Sequence, residues 1–303
     1  KFTASTGKPN SHATPTIPYD VFAYALGNTK DKLDLLLGHV PDQWDTMRAL
    51  IGEIQNGLTA GGTKQNKWAN VKTWSGLIDG PPLVDPTDGR AQQVGEVAAI
   101  TVNRFRRILR RIVQSRQSGI FVDQLSRNHC DLAKKIADIK GGHTYVVDIY
   151  NLKDEEKTLV FGDILRTIYQ LYAESDADDT EMPKRVIIFV DELNKYAPEG
   201  SKSSPILDQV LEVAERGRSL GIILFGAQQF HSAVHDRVTG NWGTTLLGRT
   251  NAAEMAERGY RFLSPDIKAA ATRLDKGQLI LNHAVFRQPV KIKFPMPAYK
   301  QPG

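Results

Sequence analysis

Apolar residues along this chain follow two rhythms. In residues 42–57, Trp44, Met47, Leu50, Ile51 and Ile54 recur at steps of three and four, the stripe of an amphipathic helix closed by Gly57. Residues 96–117 repeat the pattern with Val102, Phe105, Ile108, Leu109, Ile112 and Val113. Between them Gly and Pro punctuate the chain and leave room for at most one short helix, over residues 68–78. Another helix is expected over 127–139, stopping at Gly141-Gly142. Residues 38–140 therefore read as mostly helical. Residues 1–19, rich in Pro, Ser, Thr and Gly, read as irregular.

The rhythm changes at residue 143. HTYVVDIYNL (143–152) is a β-branched and aromatic run of strand length, and DEEKTLVFGDILRTIYQLYAE (154–174) has helical spacing. After the acidic stretch SDADDTEMP comes RVIIFVDE (185–192), a continuous apolar run of the kind a strand buried on both faces carries. A helix (PILDQVLEVAERGRS, 205–219), a second buried strand (LGIILFGAQQ, 220–229) and the strand-like TTLLGRT and GQLILNHAVFRQPVKIKF follow. Strands alternating with helices are the grammar of a doubly wound α/β sheet. The chain has no internal repeat and no low-complexity tract.

The chemistry sits at the ends of the apolar runs. Asp191 and Glu192 close the first one. Either they are a polar turn, or the strand opens into a site at the sheet edge where α/β proteins bind ligands. In a site of the Walker B type, the first carboxylate holds Mg²⁺ directly or through water, and the second orients and deprotonates an attacking water. Gln228 closes the next run and either senses a water or phosphate oxygen or satisfies nearby backbone. Arg216 and Arg218, in AERGRSLG, are either cations suited to a helix end or forks offered to a neighbouring subunit's phosphates.

Four segments in this order, TYVVDIYNLKDEEKTLVFGDILRTIYQLY, VIIFVDELNKYAPEG, AERGRSLGIILFGAQQF and LDKGQLILNHAVFRQPVKIKFPMP, resemble the HerA-type ATPases of the HerA–FtsK branch. The resemblance covers about residues 141–300. It implies an α/β fold, a RecA-like P-loop NTPase core with an inserted α-helical bundle. Residues 1–37 would be an irregular lead-in to the core, 38–140 the bundle and 141–303 the core. It also implies roles: Asp191 for Mg²⁺, Glu192 as catalytic base on ATP, Gln228 as sensor, and Arg218 or Arg216 as a finger reaching the next subunit. The family forms homo-hexameric rings that translocate on double-stranded DNA with a NurA-type nuclease in DNA end processing and repair. The N-terminus lacks the apolar build of a signal peptide and no apolar stretch has membrane length, so the cytoplasm is the expected compartment and no membrane is expected as partner. Related possibilities are a HerA-like ring scaffolding an effector in an anti-phage complex, a catalytically silent scaffold, and a secreting or conjugative pump on the same core.

Two departures qualify the match. Gln229-Phe230 stand where the family often has Arg-Pro. A P-loop needs G-x-x-x-x-G-K-[ST], and the nearest stretch, FTASTGKPN, has Phe2 for the first glycine and Pro9 for the Ser or Thr. Either the P-loop lies upstream, as a chain beginning with Lys1 suggests, or the ATPase is degenerate; as written, the chain is not expected to hydrolyse ATP unaided. The remaining features change little. Among 303 residues with 41% hydrophobic content and a net charge of +5, one cysteine fits a reducing compartment and excludes an internal disulfide. No stretch has the length of a membrane span, and the histidines lack zinc-ligand spacing. The basic run RFRRILRR either meets phosphates or is a solvated helix face. DELNK lacks the spaced carboxylates and E-x-K of a nuclease.

Overall fold

The computed structural model of the chain describes residues 2–5, 19–37, 46–60, 68, 71–80, 99–115, 119–175, 182–200 and 204–295. They fall into two compact units. One comprises residues 1–186, 204–209 and 219–222, the other 187–203, 210–218 and 223–303.

The first unit begins with β1 (Phe2–Ser5), β2 (Val21–Phe22) and β3 (Tyr24–Ala25), followed by α1 (Leu33–Leu37), α2 (Thr46–Thr59), α3 (Trp74–Asp79) and α4 (Ala99–Val113). Then come β4 (Phe121–Val122), β5 (His129–Cys130), α5 (Leu132–Ala137), β6 (Tyr145–Asp148) and α6 (Asp154–Glu174). The predicted helices α2, α3, α4 and α6 are present. The apolar stripes named from sequence are their buried faces: Met47, Leu50, Ile51 and Ile54 on α2, and Val102, Phe105, Leu109 and Ile112 on α4. α6 starts where the Glu156 carboxylate accepts the Lys153 backbone N–H at 2.8 Å, with Asp154, Glu155 and Glu156 in its first turn complementing the helix dipole.

Two expectations need correction here. Residues 1–19 were expected to be irregular, but Phe2–Ser5 is a strand, parallel to β6 with Phe2 opposite Tyr145 and Ser5 opposite Asp148. The helix expected over 127–139 is shortened to Leu132–Ala137. His129–Cys130 pairs instead with Val21–Phe22, and Asp131 caps the helix by accepting the Lys134 N–H.

A buried ion pair lies inside this unit. Lys32 Nζ stands 2.8 Å from Asp163 Oδ1, and the Tyr24 hydroxyl donates to Asp163 Oδ2 at 3.0 Å. Burial pushes the Asp163 carboxyl above its ordinary range, against the pull of Lys32 and Tyr24. Next to it, Gly162 lets Ile206 and Leu35 approach α6, since a Cβ there would lie 2.5 Å from Ile206 Cγ2.

The second unit carries β7 (Val186–Asp191) from its second residue on, the middle of α7 (Leu207–Leu220) and β8 (Ile222–Ala227) from its second residue on. It continues with α8 (Asp236–Gly240), β9 (Thr244–Leu247), α9 (Ala252–Met255), α10 (Pro265–Ala271), β10 (Gln278–His283) and β11 (Val290–Lys293). β9, β10 and β11 form an antiparallel sheet, with β10 central. Leu247, Met255, Tyr260, Leu263, Ala271, Leu274 and Ile280 make its core. β7 pairs with β8. The expectation that β7 is buried on both faces fails: Ile188 and Val190 are buried, whereas Ile187 is 65% and Phe189 73% exposed. An unbroken apolar run fixes what both faces are made of but not that both are covered, and among the described residues nothing covers this one.

Removing one member of a buried pair strands the other charge, so Lys32→Met is expected to cost about 3 kcal/mol. Arg111→Ala, which breaks an exposed pair with Glu155, should cost less than about 1 kcal/mol. Urea midpoints of the two variants against the parent check the contrast.

Candidate active site

The first two sequence-predicted residues are placed by the way β7 and β8 run. The Val186 N–H donates to Gly221 O at 3.1 Å, tying the start of β7 to the start of β8. Strands of equal length joined at their starts run the same way, so their ends, Asp191 and Ala227, are neighbours. Gly221 sits at φ +83 with Lys184 O where a Cβ would be, so this junction requires glycine. At the other end Leu193, fully buried, occupies the space a Cβ on Gly226 would fill. The turn carrying Asp191 and Glu192 therefore lies against the stretch leading into Gln228.

Glu192 adopts the left-handed conformation at φ 54 and ψ 45, and its N–H returns to Asp191 Oδ1 at 2.9 Å. Its Oε2 lies 2.7 Å from Lys195 Nζ. Both carboxylates are exposed at the strand end. Gln228 differs: its Oε1 is buried with no hydrogen-bond partner among the described residues. A buried amide oxygen left unpaired costs roughly 1–3 kcal/mol, which a water or ligand donor would offset.

Arg216 and Arg218 are exposed on the last turns of α7. α7 ends at Leu220, just before β8 begins, so both arginines lie at the opposite end of that strand from Gln228. The six residues of β8 lie between the end of α7 and Gln228. The structure thus brings Asp191, Glu192 and Gln228 together and leaves the arginines apart from them.

Sequence reading missed the support beneath Gln228. The loop that follows it is tied on one side to the chain after the carboxylates. Pro198 and Val234 form an antiparallel bridge, Glu199 N–H donates to Ala233 O and His235 N–H to Ala197 O, each at 3.0 Å. On the other side Ser232 donates from both its N–H and its Oγ to the Glu254 carboxylate, at 3.0 and 2.9 Å. Glu254 is 7% exposed, and its own N–H is capped by Asn251 Oδ1. The His231 ring packs between Trp242 and Tyr260, each 5.2 Å away, and over Gly259, where a Cβ would come within 2.5 Å of Nδ1. Asn251 with Glu254 three residues on was a legible cap. The link to Ser232 was not.

The chain superposes on plasmid coupling protein TrwB bound to a non-hydrolysable ATP analogue with a TM-score of 0.59, at 11% identity, over 94% of this chain and 75% of TrwB. The same protein bound to a GTP analogue gives 0.53 at 11% identity, over 93% and 74%. The fold is that of the RecA-like P-loop ATPases. A shorter part of the chain, 55%, aligns with 73% of the genome-packaging NTPase B204 from Sulfolobus turreted icosahedral virus 2 in complex with AMPPCP, at 14% identity and a TM-score of 0.39. No protein-family model and no curated protein matches the sequence. Among the described residues no helix is long and apolar enough to cross a membrane. In RecA-like folds, as in other open α/β sheets, the carboxyl ends of the strands are the ligand edge, and Asp191, Glu192 and Gln228 stand on it.

Burial holds the His231 imidazole below its ordinary pKa, against the pull of Glu254 and Asp236. As the pH falls, histidine in the unfolded chain takes up its proton near about 6.5, before the folded residue does, so stability declines below that value. The unfolding temperature of His231→Gln should therefore change less between about pH 7.5 and about pH 5.5 than that of the parent.

Proposed function

We propose that this chain supplies the catalytic base and sensor of an ATPase that forms a ring and moves double-stranded DNA. One observation carries the reading: two exposed carboxylates and a buried, unpartnered Gln228 oxygen end neighbouring strands in a fold shared with a protein that binds an ATP analogue. Glu192 would take the proton of an attacking water, once it exchanges Lys195 for that water. Gln228 would hold the same water through Oε1 and leave its amide N–H groups for a phosphate oxygen. Among the described residues no three His, Cys, Asp or Glu side chains gather as a metal site. A single carboxylate, Asp191, suits Mg²⁺, which keeps most of its waters and takes its other ligands from phosphates. Bound there, Mg²⁺ would neutralise charge on the transferred phosphoryl group.

Arg218 or Arg216 would serve a neighbouring subunit, because neither lies at the strand ends of its own chain. A head-to-tail homo-hexamer provides that geometry. Duplex DNA as substrate, a NurA-type nuclease as partner and a role in end repair rest on the resemblance to HerA-type ATPases.

One observation favours a second reading, a silent ring that scaffolds an effector in a defence complex. Phe2–Ser5, the first half of the nearest P-loop-like window, is already a strand paired with β6. Backbone in a ladder cannot curl around phosphates as a P-loop does. Thr6-Gly7-Lys8-Pro9, the rest of that window, lie outside the described residues.

Phosphate release by the natural-length protein, with and without linear duplex DNA, decides between the two. Duplex should stimulate release, and Glu192→Gln should lower it about 100-fold or more while nucleotide binding persists. No turnover in either condition leaves the scaffold. Arg216→Ala and Arg218→Ala, each mixed with parent subunits, should show which arginine acts across the interface.

A further inference from the structure

We infer that Glu254 is a positioning residue for Gln228: by accepting both Ser232 donors it holds the loop of residues 229–235, and with it the end of β8, in one place. The inference rests on the reading of Gln228 as a sensor.

The loop has two anchors of different character. Toward the carboxylates it is held by backbone: the Pro198–Val234 bridge and the bonds from Glu199 and His235. The Asp236 N–H adds a bond to the Glu199 side chain at 2.9 Å. Toward β9 and β10 it is held mainly by side chains: the Ser232–Glu254 pair supplies two hydrogen bonds, beside one between the His231 backbone and the Tyr260 hydroxyl. Two bonds converging on one carboxylate fix orientation as well as distance. The acceptor is itself rigid, because α9 is capped at Asn251 and its last residue, Met255, lies in the core with Tyr260.

Ser232 is only four residues beyond Gln228. Without the carboxylate, that side keeps the hydrogen bond between the His231 backbone and the Tyr260 hydroxyl and the His231 ring packing against Trp242, Tyr260 and Gly259, none of which touches Ser232 itself. The amide of Gln228 must meet a water at hydrogen-bond length to act as a sensor, and such geometry degrades with displacements of about 1 Å. Glu254 touches no reacting group; it acts through Ser232 and the loop.

The test uses the natural-length protein with Glu254→Gln, Ser232→Ala, Gln228→Ala and the double variant Gln228→Ala/Glu254→Gln. Glu254→Gln keeps one acceptor for the Ser232 N–H and removes the charged acceptor of its hydroxyl, which can then only accept from the neutral amide N–H. The expected result is kcat lowered about 10-fold with KM nearly unchanged, a smaller effect for Ser232→Ala, and no further loss when Glu254→Gln is added to Gln228→Ala. Additive losses, or a lowered unfolding temperature with kcat intact, would overturn the inference.

Amide hydrogen exchange over residues 228–236 gives a readout that does not depend on turnover. Glu254→Gln should speed exchange about 10-fold or more at Ser232 and at Gln228-Gln229, while β10 is unaffected. If the parent shows no ATP turnover the functional reading falls, and exchange alone then decides whether Glu254 positions the loop. Unchanged exchange at residues 228–229 overturns it. If Glu254→Gln fails to fold, Ser232→Ala carries the same comparison with the acceptor left in place.

Discussion

Leu193 is fully buried and stands where a Cβ on Gly226 would be, so the turn after β7 closes onto the end of β8 only because residue 226 has no side chain. The rest of the candidate site follows from that contact. It presses the chain bearing Asp191 and Glu192 against the stretch that becomes Gln228, and the loops beyond then run close enough for Pro198 to bridge Val234. Burying Leu193 contributes on the order of 2 kcal/mol. That apolar contact holds the end of β8 beside a turn in which Glu192 N–H is already bonded to Asp191 Oδ1.

Of the buried acids, Asp163 in the first unit and Glu254 in the second are satisfied differently. Asp163 faces a lysine and a tyrosine hydroxyl. Attraction to Lys32 is offset by the cost of taking both charges out of water, so the pair fixes geometry more than it adds stability. Glu254 faces the neutral donors of Ser232 and the hydroxyl of Tyr260, which burial first and then the carboxylate's charge hold well above its ordinary pKa. Hydrogen bonds to a charged acceptor are stronger than neutral ones, and they remain so at the edge of a core where water is scarce. Both acids join segments distant in sequence: Asp163 ties α6 to the chain around Lys32 and Tyr24, and Glu254 ties α9 to the loop after β8.

Period and punctuation made much of this legible. α6 and the strands β7 and β8 stand within a residue or two of where their patterns put them, because long helical stripes and dense β-branched runs are strong local signals. The pairings β2–β5 and β3–β4 were hidden, since two residues carry no period. β1 was hidden by turn-forming composition overridden by a partner about 140 residues away. The strand-end carboxylates could be read from VIIFVDE. That Gln228 would bury its oxygen unpaired, or that Ser232 would find Glu254, depends on how loops fold over one another, and no spacing rule encodes it.

The conformation of Glu192 is where local preference and site geometry disagree. Among the described residues it is the one non-glycine at positive φ. A side chain in that region costs about 1 kcal/mol that glycine or asparagine would largely avoid. The left-handed turn sends Leu193 toward Gly226 and returns the Glu192 N–H to Asp191 Oδ1, and glycine at 192 would allow both. What glycine cannot provide is a carboxylate. A strained residue points to a use for its side chain, and in this structure that side chain pairs with Lys195. Its carboxylate is exposed at the strand end, beside Asp191 and close to the stretch that carries the unpaired Gln228 oxygen, and the proposed chemical use of Glu192 rests on that placement.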